Sequence, residues 1–351
     1  MPEVTLSSIK RLSLAVLSKS GVPGGQATII ADSIVWAHSR GKGTHGITRL
    51  PIYVRKINDR LMSPETTLTV QKDHPAVTVL DAGHGFGQVA GYIGMERCVE
   101  KAARCGIGVA GVRKSNNFGA AGFIAELATK HKMIGLILSN SAPAIAPWGG
   151  TKPLLGTNPL GFAFPSGENK PAVIFDMATS FAARGKIRLA AKHNQKIPFG
   201  WALDNQGRPT DDPFEALKGS MIPIGEHKGY GLSLAIDILA GLLTGAAFGG
   251  DAKPLNHPDA HSDYGHLLAA INISFFMDMD EYTSRMQQLE QNVKMAGKEG
   301  SVFLPGEQSW HHAMKNKNTV QLAEKPLEEL HALAAGMNIN ERLEVAGQEQ
   351  S

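Results

Sequence analysis

Apolar positions fall at helical spacing through the first 70 residues and change period after that. Ile9, Leu12, Leu14, Val16 and Leu17 follow Ser7-Ser8, which predicts a capped helix closed by Gly21 and Pro23. Ala27, Ile30, Ile34 and Ala37 lie on one stripe and predict a second helix over 25–40; a third is expected over 47–61. The run Val77-Thr78-Val79-Leu80 then predicts a strand, followed by a glycine turn and a helix over 88–104. A strand over 107–112, a helix over 120–130 and a strand over 134–138 continue the alternation, which argues for an α/β fold. Residues 139–185 place Gly, Pro, Asn and Ser between short apolar runs, as loops and short strands that carry sites on a scaffold do. An apolar helix over 230–243, a strand over 269–274 and a polar helical tail from Ser309, fraying at Gly347-Gln348-Glu349, complete the pattern.

Composition narrows the class. With 351 residues, 42% hydrophobic, 19% charged and 39 glycines, the chain reads as a compact, loop-rich globular enzyme of two domains or one elaborated one. A net charge of +3 with scattered Lys and Arg gives no support to nucleic-acid binding. No apolar stretch reaches membrane-spanning length, and Met1-Pro2-Glu3-Val4 lacks the cationic start and apolar core of a secretory signal. Cys98 and Cys105, seven apart with no second pair, are expected as thiols in a reducing compartment, so a cytoplasmic location is expected.

The strongest chemical signal is Arg40-Gly41-Lys42-Gly43-Thr44-His45-Gly46-Ile47-Thr48-Arg49-Leu50-Pro51. It sets a histidine four residues ahead of an arginine, after a glycine-rich break in a helical pattern. If a helix restarts at Gly46, His45 stands at its N-terminal edge and Arg49 about one turn on, both within reach of one small molecule. An imidazole exchanges a proton near neutral pH, and a guanidinium grips a carboxylate with two parallel hydrogen bonds. An enzyme of 2-oxo or 2-hydroxy acids needs that pair; a surface histidine beside a surface arginine is the plain alternative.

The turn Gly83-His84-Gly85-Phe86-Gly87-Gln88-Val89-Ala90-Gly91 contains G-x-G-x-x-A after a strand, close to the dinucleotide fingerprint. That fingerprint also asks for an acid at the end of the next strand. Here the strand runs into Arg113-Lys114, so a tight turn joining strand to helix is expected instead.

Three further segments are Ser115-Asn116-Asn117-Phe118-Gly119-Ala120-Ala121-Gly122, Gly156-Thr157-Asn158-Pro159-Leu160-Gly161-Phe162 and Phe175-Asp176-Met177-Ala178-Thr179-Ser180. With the His45/Arg49 segment and Gly225-Glu226-His227-Lys228-Gly229-Tyr230-Gly231, they resemble, in matching order, the malate/L-lactate dehydrogenase family. That family is unrelated to the ordinary Rossmann dehydrogenases; it includes ureidoglycolate, sulfolactate and diketogulonate dehydrogenases and a cyclic-imine reductase. The resemblance implies an α/β, non-Rossmann malate/L-lactate (sulfolactate) dehydrogenase-like fold. A helical substrate or dimerisation part would come from 1–70 with 305–351, and an NAD(P)-binding α/β domain from 71–304. It further implies NAD or NADP as cofactor, a small 2-oxo/2-hydroxy acid as substrate, and a homodimer with the active site near the subunit interface.

The resemblance also assigns expected roles. His45 would donate and accept the proton at the substrate oxygen, Thr44 would orient it or relay the proton, and Arg49 would hold the substrate carboxylate. Asn117 stands where many relatives carry histidine; asparagine hydrogen-bonds but shuttles no proton, so acid/base work falls to His45. Phe118, Gly119, Ala120, Ala121, Ser141, Asp176, Met177 and Ala178 align with cofactor contacts, and a loop asparagine or a strand-end aspartate would be the structural alternatives. Lys186 stands where the imine reductase carries an aspartate of its charge relay, and is expected at the catalytic site facing an anionic 2-oxo acid or a cofactor phosphate. His227 and Lys228 are expected at phosphate on a helix N-terminus, and Gly306 and Glu307 in a late cofactor loop. His257, His261 and His266 lack ligand spacing and are expected as solvated loop residues, with no metal. Reduction of a cyclic imine carboxylate is the competing enzyme reading, and a catalytically inactive nucleotide-binding relative, to which Asn117 gives footing, the non-enzymatic one.

Overall fold

The computed structural model describes residues 1–167, 170–315 and 318–345. The expected fraying at 347–349 lies outside the described residues. Strand β1 (Glu3–Thr5) leads into α1 (Leu6–Lys19), and Thr5, rather than Ser7 or Ser8, caps that helix: its Oγ1 accepts the Ser8 N–H at 3.1 Å. Next come α2 (Gly24–Ser39) and α3 (Leu50–Asn58), and then β2 (Thr69–Asp73), β3 (Val77–Asp81), α4 (Gly87–Cys105) and β4 (Ile107–Ser115). After α5 (Ala121–Thr129) follow β5 (Met133–Ser139), β6 (Leu160–Phe164) and β7 (Val173–Met177). Then α6 (Arg184–Lys192) precedes a small sheet of β8 (Ala202–Leu203), β9 (Pro209–Thr210) and β10 (Ser220–Met221) that is interrupted by α7 (Pro213–Lys218). Helix α8 (His227–Ile236) runs on as a π-helical stretch, Asp237–Leu242, and β11 (Tyr264–Asn272) returns to the main sheet. The chain closes with α9 (Met279–Met295), α10 (Glu307–Lys315), β12 (Thr319–Gln321) and α11 (Glu324–Gly336).

The main sheet has the order β2-β3-β4-β11-β5-β6-β7, and only β3 and β4 run parallel. The α/β class expected from the alternation holds, and the mostly antiparallel sheet is not the parallel sheet of a Rossmann domain. Strand β11 enters between β4 and β5 from far along the chain and begins at Tyr264, earlier than its apolar run suggests. Two glycines let the helices lie directly on this sheet. A Cβ at Gly108 would fall 2.0 Å from the Cys98 carbonyl oxygen of α4, and one at Gly135 2.1 Å from that of Ala125 in α5. The loop ahead of α5 is thereby held at the strand ends.

The glycine turn before α4 is closely packed as well. Phe86 donates its N–H to Thr66 Oγ1 at 2.8 Å, and a Cβ at Gly87 would fall 2.2 Å from the Asn116 carbonyl oxygen. One apolar cluster joins both chain ends: Ile9, Leu12, Ile30, Leu50 and Tyr53 pack with Val320, Leu330 and Ala334. A second fills the space between the sheet and helices α4 and α5, with Leu80, Met95, Ile124, Ile137 and Leu268. Among the described residues, no helix is long and apolar enough to cross a membrane.

Candidate active site

His45 and Arg49 sit on two consecutive 3-10 turns, Gly43–His45 and Ile47–Arg49, divided by Gly46 at φ −95° and ψ −151°. The expected restart of the helix at Gly46 is corrected: α3 begins at Leu50, with Pro51 in its first turn. The break is Gly46, whose extended backbone belongs to no helix, and His38, at the end of α2, packs against it. The His38 Nε2 accepts the Ile47 N–H at 2.9 Å, and a Cβ at Gly46 would fall 2.2 Å from the same nitrogen. Burial pushes the His38 imidazole down to about 4, which keeps the ring neutral and able to accept. Each turn thus ends on a polar side chain, and Arg49 Nε donates to the Thr44 carbonyl oxygen at 2.8 Å, folding the arginine back toward His45.

Both residues face a cleft of about 240 Å³. One wall is Thr44, His45 and Arg49, and the next is Asn117, Phe118, Gly119 and Ala121 from the loop before α5. Ser141, Thr157, Pro159, Asp176, Met177 and Ala178 form the floor at the ends of β5, β6 and β7. The third wall is Arg184 and Arg188 of α6 with Tyr264 of β11. His45 Nδ1 is buried and has no partner. Its pKa is lowered to about 4 by burial first and then by Arg49 and Lys42, while Asp176 works in the opposite direction. Arg188 is lowered by burial and by Arg49, so the Arg49 and Arg188 guanidiniums lie within reach of each other's field. Tyr264 is pushed up to about 12, chiefly by burial, and stays a neutral phenol.

Other expected residues are differently engaged. Asp176 Oδ2 accepts the Gly122 N–H at 3.0 Å and pairs with Lys42 Nζ at 2.6 Å, so it closes the N-terminus of α5 as well as edging the cleft. Asn117 Oδ1 accepts the Gly119 N–H at 3.2 Å and holds its own turn. Ala120 is buried behind the loop as the residue before α5. Lys186, expected at the catalytic site, is not among the residues lining the cleft; its Nζ lies 5.8 Å from the centroid of the Trp201 ring. Arg184 and Arg188, four apart on α6, share the face that Lys186 misses by roughly half a turn. His227 and Lys228 open α8 but do not line the cleft either; the His227 ring centroid is 6.2 Å from that of Trp148. Gly306 lies in a neighbouring groove with Trp36 and Lys42 that Asp176 joins to the cleft. Glu307 is held by Lys294 at 2.6 Å.

The loop histidines separate. His266 is corrected from a solvated residue to a fully buried one on β11, bridging Ser139 and Ser115 at 2.9 and 2.8 Å. His257 pairs with Asp259, and His261 stacks on His84 with ring centroids 3.9 Å apart. Sequence reading missed Arg184, Arg188, Tyr264 and Lys42. The two α6 arginines carried a usable signal, an i,i+4 pair beside Ile187 and Ala191. Tyr264 carried none, because β11 alone brings it to the cleft.

A profile of the malate/L-lactate dehydrogenase family matches residues 4–331. A malate/(S)-sulfolactate dehydrogenase of Methanothermus fervidus is 40% identical over 331 residues, which cover 94% of this chain and 96% of that protein. A (2R)-3-sulfolactate dehydrogenase (NADP(+)) of Chromohalobacter salexigens is 36% identical over 334 residues, 94% of this chain and 98% of that protein. The solved sulfolactate dehydrogenase of Methanocaldococcus jannaschii superposes with a TM-score of 0.90 at 37% identity, covering 96% of this chain and 98% of that one. The chain belongs to the malate/L-lactate dehydrogenase family, NAD(P)-dependent oxidoreductases that interconvert a 2-oxo acid and its 2-hydroxy acid.

Proposed function

We propose that the substrate is a small 2-oxo/2-hydroxy acid bearing a second acidic group, of the malate or sulfolactate kind. The observation that carries this reading is the convergence of Arg49, Arg184 and Arg188 with the unpartnered His45 on one cleft. Arg184 Nη1 already donates to the Pro143 carbonyl oxygen at 2.9 Å, which leaves Arg49 and Arg188 as the two principal anion anchors. Sulfolactate and malate relatives support a doubly charged acid.

His45 moves the proton at the substrate oxygen. In the free cleft it is neutral, ready to take the hydroxyl proton of a 2-hydroxy acid. A carboxylate on Arg49 offsets the second cause of its lowered pKa, so binding an oxo acid favours the imidazolium that reduction requires. Asn117, with Oδ1 spent on its own turn, positions groups and moves no proton.

The residues present suit a nicotinamide nucleotide. Phe118, Pro159 and Met177 offer flat apolar contact beside His45, and strand-end backbone at Ser141 and Ala178 offers donors and acceptors to a carboxamide. The cofactor, NAD or NADP, supplies or accepts the hydride. The cleft's volume of about 240 Å³ falls below the about 300–1,000 Å³ of drug-sized ligand sites, so the reacting ends fit inside and the rest of the nucleotide lies beyond it. The groove with Gly306, joined through Asp176, is the supported route.

The oligomer is a homodimer on this reading. Helix α8 and its π-helical continuation bury only a thin stripe, while Leu232, Leu234, Ile238, Leu242 and Leu243 are each at least 36% exposed. Such a patch is the kind that a second copy covers. The two free thiols, Cys98 and Cys105, suit a reducing, cytoplasmic compartment. A panel of oxaloacetate, sulfopyruvate, pyruvate and a cyclic imine carboxylate, each followed at 340 nm with NADH and NADPH, tests the reaction. Preference for the monocarboxylates or the imine rejects the doubly charged substrate.

A further inference from the structure

His38 performs no step of the reaction, yet it is built into the segment that does. It lies on α2 next to the buried positions Ile34 and Ala37, so its backbone is fixed by the helical core. Its side chain is 5% exposed and crosses from that core to the peptide joining the two 3-10 turns. Because a backbone N–H is always a donor, the 2.9 Å contact from Ile47 N requires Nε2 to be unprotonated, which puts the ring's one proton on Nδ1. The ring also occupies the place a side chain at Gly46 would take, 2.2 Å from a Cβ there. Neither the φ nor the ψ of Gly46 demands glycine; the histidine does.

We propose that His38 is a positioning residue for catalysis: by accepting the Ile47 amide it fixes the hinge between the turns ending in His45 and Arg49, and so sets the distance from proton donor to carboxylate anchor. One turn cannot rotate against the other while this bond and the Gly46 contact persist. The bond is buried and its loss leaves an amide unpaired, so the hinge has a strong preference for one geometry. The inference rests on the assigned roles of His45 and Arg49, which are tested separately by substituting those two residues.

Substitutions at His38 and Gly46 read it out. His38→Leu fills the space without an acceptor, and His38→Gln restores an acceptor at similar reach. The leucine variant should lose about tenfold to a hundredfold in kcat, the range expected when reacting groups are misplaced by up to an ångström. Its dissociation constant for reduced cofactor, read by nicotinamide fluorescence, should stay within about twofold, because the nucleotide is held elsewhere. The glutamine variant should recover most of the lost kcat. Gly46→Ala should mimic the leucine variant in the wild-type background and cost less in a His38→Ala background, where the ring no longer meets the new methyl. Equal losses for leucine and glutamine, a lowered melting temperature with kcat intact, or strict additivity of Gly46→Ala with His38→Ala would each overturn the proposal. Should the leucine variant not fold, the glutamine variant and the Gly46→Ala cycle decide it alone.

Discussion

Lys42 Nζ and Asp176 Oδ2, 134 residues apart in the chain, form a 2.6 Å ion pair at the edge of the cleft that holds His45. The two charges act on His45 in opposite directions, Asp176 raising its pKa and Lys42 lowering it, so the pair buffers the imidazole against either charge alone.

Asp176→Asn keeps an acceptor for Gly122 but removes the negative charge, so His45 should titrate lower still. Reduction needs the imidazolium, and its rate falls as pH rises through the His45 pKa. The declining limb of kcat/KM for reduction should therefore move to lower pH, by up to about one unit. A pH–rate series with unchanged limbs rejects the electrostatic role.

His45→Ala should reduce turnover by about a hundredfold or more, as loss of a general acid does, while reduced-cofactor binding is retained. Turnover within tenfold of the wild type rejects His45 as the proton donor.

Arg49 and Arg188 separate by substrate. Arg188→Leu should raise KM for a dicarboxylate or sulfonate about tenfold or more and leave a monocarboxylate within about twofold, since one charge-assisted contact is lost. Arg49→Lys should raise KM for both classes, because a point charge does not reproduce the bidentate grip. Equal effects of Arg188→Leu on both classes reject its role as anchor of the second acidic group.

Asn117→Ala removes a turn-holding hydrogen bond worth about 0.5–1.5 kcal/mol, so activity should drop roughly threefold to tenfold with the pH profile preserved. A loss beyond a thousandfold with an altered profile, in folded protein, means that the proton route passes through this residue.

His38 and His266 are buried and neutral, each with its pKa lowered from 6.5 to about 4. Their folded values lie below the unfolded one, so the unfolded chain takes up protons first as pH falls. Stability should be constant above pH 6.5 and decline between pH 6.5 and 4, by about 2 kcal/mol per histidine at pH 5. Thermal melts across that range check it, and a flat melting temperature down to pH 5 contradicts it.

Local chemistry was legible in the chain because it depends on neighbours. The helical stripe of α2, the alternation through β5 and the failed dinucleotide fingerprint at Gly83 all follow from residues within a few positions of one another. The His45/Arg49 pair was legible for the same reason, although its helix was not: the extended backbone of Gly46, packed against His38 of α2, puts off the helix until Leu50. Tertiary structure alone decided the rest. Whether Arg188 or Lys186 faces the cleft depends on the rotation of α6, and Tyr264 reaches it only because β11 inserts between β4 and β5. His266 read as a loop histidine, since nothing near it in the chain shows the two serines, from different strands, that make its burial affordable. Spacing along a chain fixes what one helix or strand presents; which of those faces meet is set by the core that forms between them.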